Sequence, residues 1–84
     1  MTYSVSILRS AQKSLGALPP AVQARIVTAI RRLVSNPRPP GVKKLAGREA
    51  WRIRVADYRV IYEIGDAELT VLVVDVGHRR EIYR

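Results

Sequence analysis

The stretch that decides the fold reads Trp-Arg-Ile-Arg-Val-Ala-Asp-Tyr-Arg-Val-Ile-Tyr-Glu-Ile (51–64), Gly65-Asp66, Leu-Thr-Val-Leu-Val-Val-Asp-Val (69–76) and Gly-His-Arg-Arg-Glu-Ile-Tyr (77–83). β-branched and aromatic residues dominate it, which is the composition of strands. Ala56-Asp57 is a modest turn signal, and Gly65-Asp66 or Asp66-Ala67 supplies the second, so 51–55, 58–64 and 69–76 are expected to form an antiparallel meander. Arginines alternate with apolar residues through its first two strands. A buried sheet has no packing use for cations at this density, so one face is expected to be a functional surface.

Strand parity says which cations converge. A symmetric turn at Ala56-Asp57 places Val55 opposite Tyr58 and Arg54 opposite Arg59, and facing residues point to the same side. Arg52, Arg54 and Arg59 then share one face, with Trp51, Ile53, Val55, Tyr58, Val60 and Tyr62 on the other. Two guanidinium groups set against each other repel, so this pairing predicts an anion between them. A one-residue slip would disperse the cluster. Either choice of second turn sends the even-numbered residues of the last strand, Leu72, Val74 and finally His78, to the Arg59 face. Arg80 follows them, and Arg79 joins only if Gly77 permits a bulge.

Upstream, Tyr3, Val5 and Ile7 alternate with Ser4 and Ser6 as in a half-buried strand. Ser10 is the expected N-cap of a short helix carrying Ala11, Leu15 and Leu18, limited to two or three turns by Gly16 and Pro19-Pro20. The prolines also start the next helix. Its apolar stripe is Val22, Ile26, Val27, Ile30, Leu33 and Val34, and Asn36-Pro37 should end it. Residues 36–50, with Pro37, Pro39, Pro40, Gly41 and Gly47, leave no room for a long regular element, so Lys43, Lys44 and Arg48 are expected on a surface loop. The expected fold is α+β in the order β-α-α-β-β-β: a single domain over residues 1–84, with two N-terminal helices on one face of a small, mainly antiparallel four-stranded sheet.

Composition narrows the function. At 84 residues the chain buries only about 60 % of its unfolded surface, so the core is small. It has no cysteine and one histidine, which excludes disulfides and thiolate metal sites, and neither a metal nor a cofactor is expected. No signal peptide or long apolar run is visible, and the expectation is a soluble cytoplasmic protein without a membrane partner. Fifteen Lys and Arg against seven Asp and Glu give a net charge of +8. Residues 1–48 contain nine of those bases and no acid at all. Such a chain attracts polyanions, nucleic acid before membrane, because no long basic amphipathic helix with aromatic anchors is present.

The segments at 51–64 and 76–84, with Asn-Pro-Arg-Pro-Pro-Gly-Val-Lys-Lys-Leu at 36–45, resemble the RelE/ParE toxin superfamily of type II toxin–antitoxin modules. The resemblance covers nearly the whole chain and implies the same fold. It also implies a ribosome-dependent endoribonuclease that cuts mRNA in the ribosomal A site, without a metal, by attack of a ribose 2′-OH on the adjacent phosphate. A RelB-like antitoxin would silence it in a heterotetramer or larger complex, and the acid-free first half suits a net-acidic antitoxin segment. By position, Arg52 and Arg54 match a basic pair on the first meander strand. Arg59 matches an arginine at the scissile phosphate, Arg79 a second one, and Tyr83 a C-terminal tyrosine. Lys43, Lys44, Arg48 and Arg80 are expected to bind RNA.

One departure matters chemically: both residues of the first strand are Arg where the best-known members have Lys. Arginine keeps its proton, so neither residue can act as a base. His78, with an ordinary pKa of about 6.5, is the candidate base, and Glu81 is second. The alternative within the superfamily is a ParE-like inhibitor of DNA gyrase with no nuclease activity, which has no need of the Arg52, Arg54, Arg59, Arg79 and Tyr83 combination.

Overall fold

A computed structural model describes residues 2–78. Strand β1 (Ser4–Ile7) leads into helices α1 (Arg9–Gly16) and α2 (Pro20–Arg32). A two-residue strand β2 (Lys43–Lys44) and the meander β3 (Trp51–Val55), β4 (Tyr58–Gly65) and β5 (Thr70–His78) follow. The sheet order is β1-β5-β4-β3-β2, all antiparallel except the parallel pair β1–β5. The sheet therefore has five strands where the sequence predicts four. The additional strand lies in the 36–50 linker, where two residues pair with β3 without any local propensity for doing so.

Both helices lie on one side. Ala11, Ile26, Ile30 and Leu33 meet Ile53, Val60, Tyr62, Val71, Val73 and Val76 in one apolar cluster. Ile26 and Leu33 are fully buried, and each side chain so removed from water contributes about 1.5–3 kcal/mol. Two helix boundaries differ from expectation. Leu8 caps α1, without a side-chain hydrogen bond, and Ser10 sits inside the first turn. Pro20 opens α2, but the helix ends at Arg32, four residues before Asn36. The turn between the helices is tied by Gln23, whose Nε2 donates to the Leu18 carbonyl at 2.7 Å.

The linker is pinned from below. Tyr62 Oη donates to the Pro37 carbonyl at 2.7 Å. Arg38 grips Asp66 with both terminal nitrogens, at 3.1 and 2.9 Å, and its guanidinium stands 4.8 Å from the centre of the Trp51 ring. Tyr3 Oη donates to the same carboxylate at 2.9 Å. These contacts join β1, the linker and the β4–β5 turn, and they carry the chain to the point where Lys43 and Lys44 reach β3. No helix among the described residues is long and apolar enough to cross a membrane.

Candidate nucleic-acid interface

The first hairpin turns on Ala56-Asp57, with Val55 opposite Tyr58 and Arg54 opposite Arg59. The expected convergence of Arg52, Arg54 and Arg59 on the face away from the helices follows directly. Ala56 closes the turn at φ 55, in the left-handed region that alanine seldom adopts. β2 adds a cation, because Lys43 pairs with Arg52 and shares its face. Lys44 pairs with Trp51 on the other side, where it lies 5.9 Å from the centre of the indole ring and bridges to Glu49 at 3.3 Å. Arg48 is exposed in the loop beyond. Of the linker cations Lys43, Lys44 and Arg48, only Lys43 joins the arginines.

The last strand departs from strict alternation. The loop after Gly65 runs to Leu69, so Gly65 pairs with Thr70 and Glu63 with Leu72, which keeps the expected parity. A bulge then intervenes: Tyr62 pairs with Val73 but Ile61 with Asp75, leaving Val74 as the inserted residue. Past that point the odd-numbered residues face the arginines, and Gly77 stands opposite Arg59. The placement of His78 is thereby corrected. It pairs with Tyr58 on the helix side, and the two rings meet edge to face with centroids 5.5 Å apart. A bulge adds one residue to one strand and so reverses every side chain that follows it. The parity that favoured Arg80 over Arg79 ends at the same place. Arg79, Arg80, Glu81 and Tyr83 lie outside the described residues.

The open face is thus laid out in two rows. Lys43, Arg52, Ile61 and Asp75 form one, and Arg54, Arg59 and Gly77 the other. Burial grades the arginines: Arg59 is only 6 % exposed and sits beside Ile61 at 3 %, Arg52 is half-buried, and Arg54 is exposed. A buried guanidinium on a strand is held in a fixed direction, which suits contact with one particular phosphate. An open recess of about 360 Å³, lined by Pro40, Gly41, Lys43, Arg52, Ile53 and Arg54, lies at the exposed end.

Asp75 is the residue that sequence reasoning missed. It is diagonal to Arg59 across β4–β5, about 7–8 Å away by sheet geometry. No cation among the described residues lies within 4 Å of its carboxylate. Only the bulge puts it on this face, and the unbroken apolar run around it gives no signal of a bulge.

The perturbed acids and bases lie elsewhere, in the linker anchor. The Arg38 hydrogen bonds, aided by that of Tyr3, hold the Asp66 carboxyl below its ordinary value. The same bonds push the Tyr3 hydroxyl and the Arg38 guanidinium up. Burial pushes Tyr62 up to about 12, against a small opposing effect from the Arg38 charge. This cluster is structural: its charges are satisfied by one another.

Comparison with known proteins agrees with the geometry. The family model described as the ParE toxin of the type II toxin–antitoxin system parDE matches residues 5–83. The toxin RelG of Mycobacterium tuberculosis is 35 % identical over 88 residues, covering 100 % of this chain and 99 % of its own length. Among solved structures, the RelE–RelB complex of the archaeon Pyrococcus horikoshii contains a chain 31 % identical, with a TM-score of 0.85 and coverage of 96 % of this chain and 99 % of that one. The RelBE2 toxin–antitoxin complex of Mycobacterium tuberculosis contains one 29 % identical, with a TM-score of 0.83 and coverage of 94 % and 100 %.

Proposed function

The chain belongs to the RelE/ParE superfamily of type II toxin–antitoxin toxins, and on that premise we propose that it is a ribosome-dependent endoribonuclease that cuts mRNA without a metal. The observation that carries this reading is Arg54 set directly opposite Arg59, with Arg52 on the same face. Like charges directly opposite each other across strands are destabilising. An arrangement that gathers like charges as donors for phosphate oxygens fits a site for a phosphodiester.

The reaction joins the ribose 2′-oxygen to the adjacent phosphorus and breaks the bond to the 5′-oxygen. It leaves a 2′,3′-cyclic phosphate and a 5′-hydroxyl. Arg59 stabilises the charge that develops on the phosphorane oxygens, Arg52 and Arg54 hold flanking phosphates, and Lys43 adds a further contact beside Arg52. By resemblance Arg79 joins Arg59, and Tyr83 stacks on a base. Asp75 takes the place of His78 as the proton acceptor for the 2′-hydroxyl, since it lies on the arginine face and His78 does not. The partners are the ribosome with its message and a RelB-like antitoxin, in a heterotetramer or larger complex.

The matched family model bears the ParE name, so gyrase inhibition is the second reading. Expression in cells followed by primer extension on a translated message separates the two. Cleavage within codons that disappears in Arg59→Ala supports the nuclease. Intact message with gyrase-dependent DNA damage rejects it.

A further inference from the structure

We propose a second RNA-binding groove, between α2 and the free edge of β3, that holds the phosphate backbone of the single-stranded message where it leaves the cleavage site. The groove is a recess of about 470 Å³ lined by Ala24, Arg25, Thr28, Ala29, Arg32, Arg54, Val55 and Ala56. Arg25, Thr28, Ala29 and Arg32 follow one another at steps of three, one and three residues, so they form one stripe of the helix, flanking the buried Ile26, Ile30 and Leu33, with Ala29 at the border of the core. The two helical arginines stand about 10 Å apart along the axis, and Arg54, whose side chain belongs to the face of the sheet turned away from the helices, borders the recess at the rim of β3.

Three features point to a nucleic-acid backbone. The first is unbalanced charge. The lining contains three arginines and no acid, and among the described residues the ion pairs are Arg38–Asp66 and Lys44–Glu49, neither of which touches the groove. Arg25 and Arg32 thus line the groove, with Arg54 at its rim, and no carboxylate among the described residues bridges to them; Thr28 adds a hydroxyl. The second is continuity. Arg54 lines this groove and also the recess formed by Lys43 and Arg52, so cations run without a break from the arginine face around the edge of β3 to α2. That edge is open because β2 pairs only with Trp51 and Arg52. The third is shape. The apolar part of the lining is three alanines and Val55, which offers no pocket for the aromatic or large aliphatic anchors that dominate protein interfaces. A phosphodiester backbone needs none.

This inference rests on the RNA-cleaving reading, and its test separates failure of the groove from failure of that reading. The full-length toxin is titrated with a 2′-O-methyl single-stranded oligonucleotide, which has no 2′-hydroxyl to attack, over a series of salt concentrations. Each phosphate contact to single-stranded nucleic acid contributes about 0.7 to the slope of log K against log salt. Arg25→Ala/Arg32→Ala should therefore lower the slope by about 1.4, which changes the affinity lost between 50 and 200 mM salt by roughly sevenfold. Both side chains are exposed and alanine favours the helix, so the fold should survive. The variant Arg9→Ala/Lys13→Ala on α1 removes the same charge away from the groove and should retain the wild-type slope.

Equal losses in the two double variants would reduce the groove to general charge and overturn it. A wild-type slope in Arg25→Ala/Arg32→Ala, with binding weakened by Arg59→Ala, overturns the groove and leaves the cleavage reading intact. A wild-type toxin that does not bind the oligonucleotide overturns the groove, while cleavage of message on programmed ribosomes decides the cleavage reading separately. Wild-type RNA binding by Arg25→Ala/Arg32→Ala together with lost affinity for an acidic antitoxin peptide would assign the groove to a protein, against the proposal.

Discussion

Replacing Tyr62 by phenylalanine removes one hydroxyl from the middle of β4, and the consequence can be worked out from its surroundings. The tyrosine is 0 % exposed and its Oη donates to the Pro37 carbonyl at 2.7 Å. Phenylalanine fills the same volume, so no cavity opens. What is lost is the hydrogen bond, and what remains is a buried carbonyl without its donor, together worth about 2 kcal/mol. For a domain of this size that lowers Tm by roughly 10 °C.

The effect also depends on pH, with a sign that follows from burial. The Tyr62 hydroxyl titrates at about 12 in the folded chain against 10.0 ordinarily. A proton held more tightly in the folded state stabilises fully below the unfolded value and is lost as pH rises through the folded one. Over those two units wild type should lose about 3 kcal/mol that Tyr62→Phe does not. The difference between the two proteins, read by urea denaturation from pH 8 upward, should thus shrink above pH 10, cross zero before pH 12 and then favour Tyr62→Phe. Equal stability at pH 7, or a difference that stays constant to pH 12, would refute the buried donor and with it the anchoring of the linker.

Other outcomes follow from the same geometry. Asp66 is held below its ordinary carboxyl value, so its contribution is present above that range and lost as pH falls; Asp66→Asn should flatten the acid limb of the stability profile, and an unchanged limb would count against the Arg38 grip. Ala56 at φ 55 carries about 1–2 kcal/mol of left-handed strain, partly offset by the extra unfolded freedom of glycine, so Ala56→Gly should stabilise by about 0.5 kcal/mol in denaturant melts. Destabilisation there would argue against the Arg54–Arg59 register, which this turn sets. If Asp75 accepts the 2′-hydroxyl proton, Asp75→Asn should slow cleavage by about 10²–10⁴-fold while oligonucleotide binding holds; cleavage at the wild-type rate would place the base elsewhere.

The sequence exposes the first hairpin because its two faces differ in kind: Arg52, Arg54 and Arg59 on one, Ile53, Val55 and Val60 on the other. A one-residue slip would turn the arginines towards the helices and the core residues outward, so chemistry fixes the parity and the turn at Ala56-Asp57 fixes the register. β5 is different. From Val71 to Val76 both faces are apolar or nearly so, and a bulge at Val74 changes little in pattern while reversing the side on which Asp75, Gly77 and His78 emerge. That is why His78 is misplaced by alternation and Asp75 overlooked. β2 is illegible for another reason. Lys43–Lys44 becomes a strand only because Tyr62 and Asp66, 25 and 28 residues away from Pro37 and Arg38, hold the linker in place. The groove at α2 also joins residues far apart in sequence, since Arg25 and Arg32 on a helix read as a solvated face until the rim of β3 at Arg54, Val55 and Ala56 is seen beside them.

The most direct test of the arginine face is cleavage of message on programmed ribosomes by purified toxin, wild type against Arg59→Ala. A guanidinium that stabilises the phosphorane is worth about 3–4 kcal/mol of barrier, so cleavage should slow by about 10²–10³-fold. The wild-type products should carry 2′,3′-cyclic phosphate and 5′-hydroxyl ends. Intact message with the wild-type toxin, or Arg59→Ala cutting at the wild-type rate, would contradict the account.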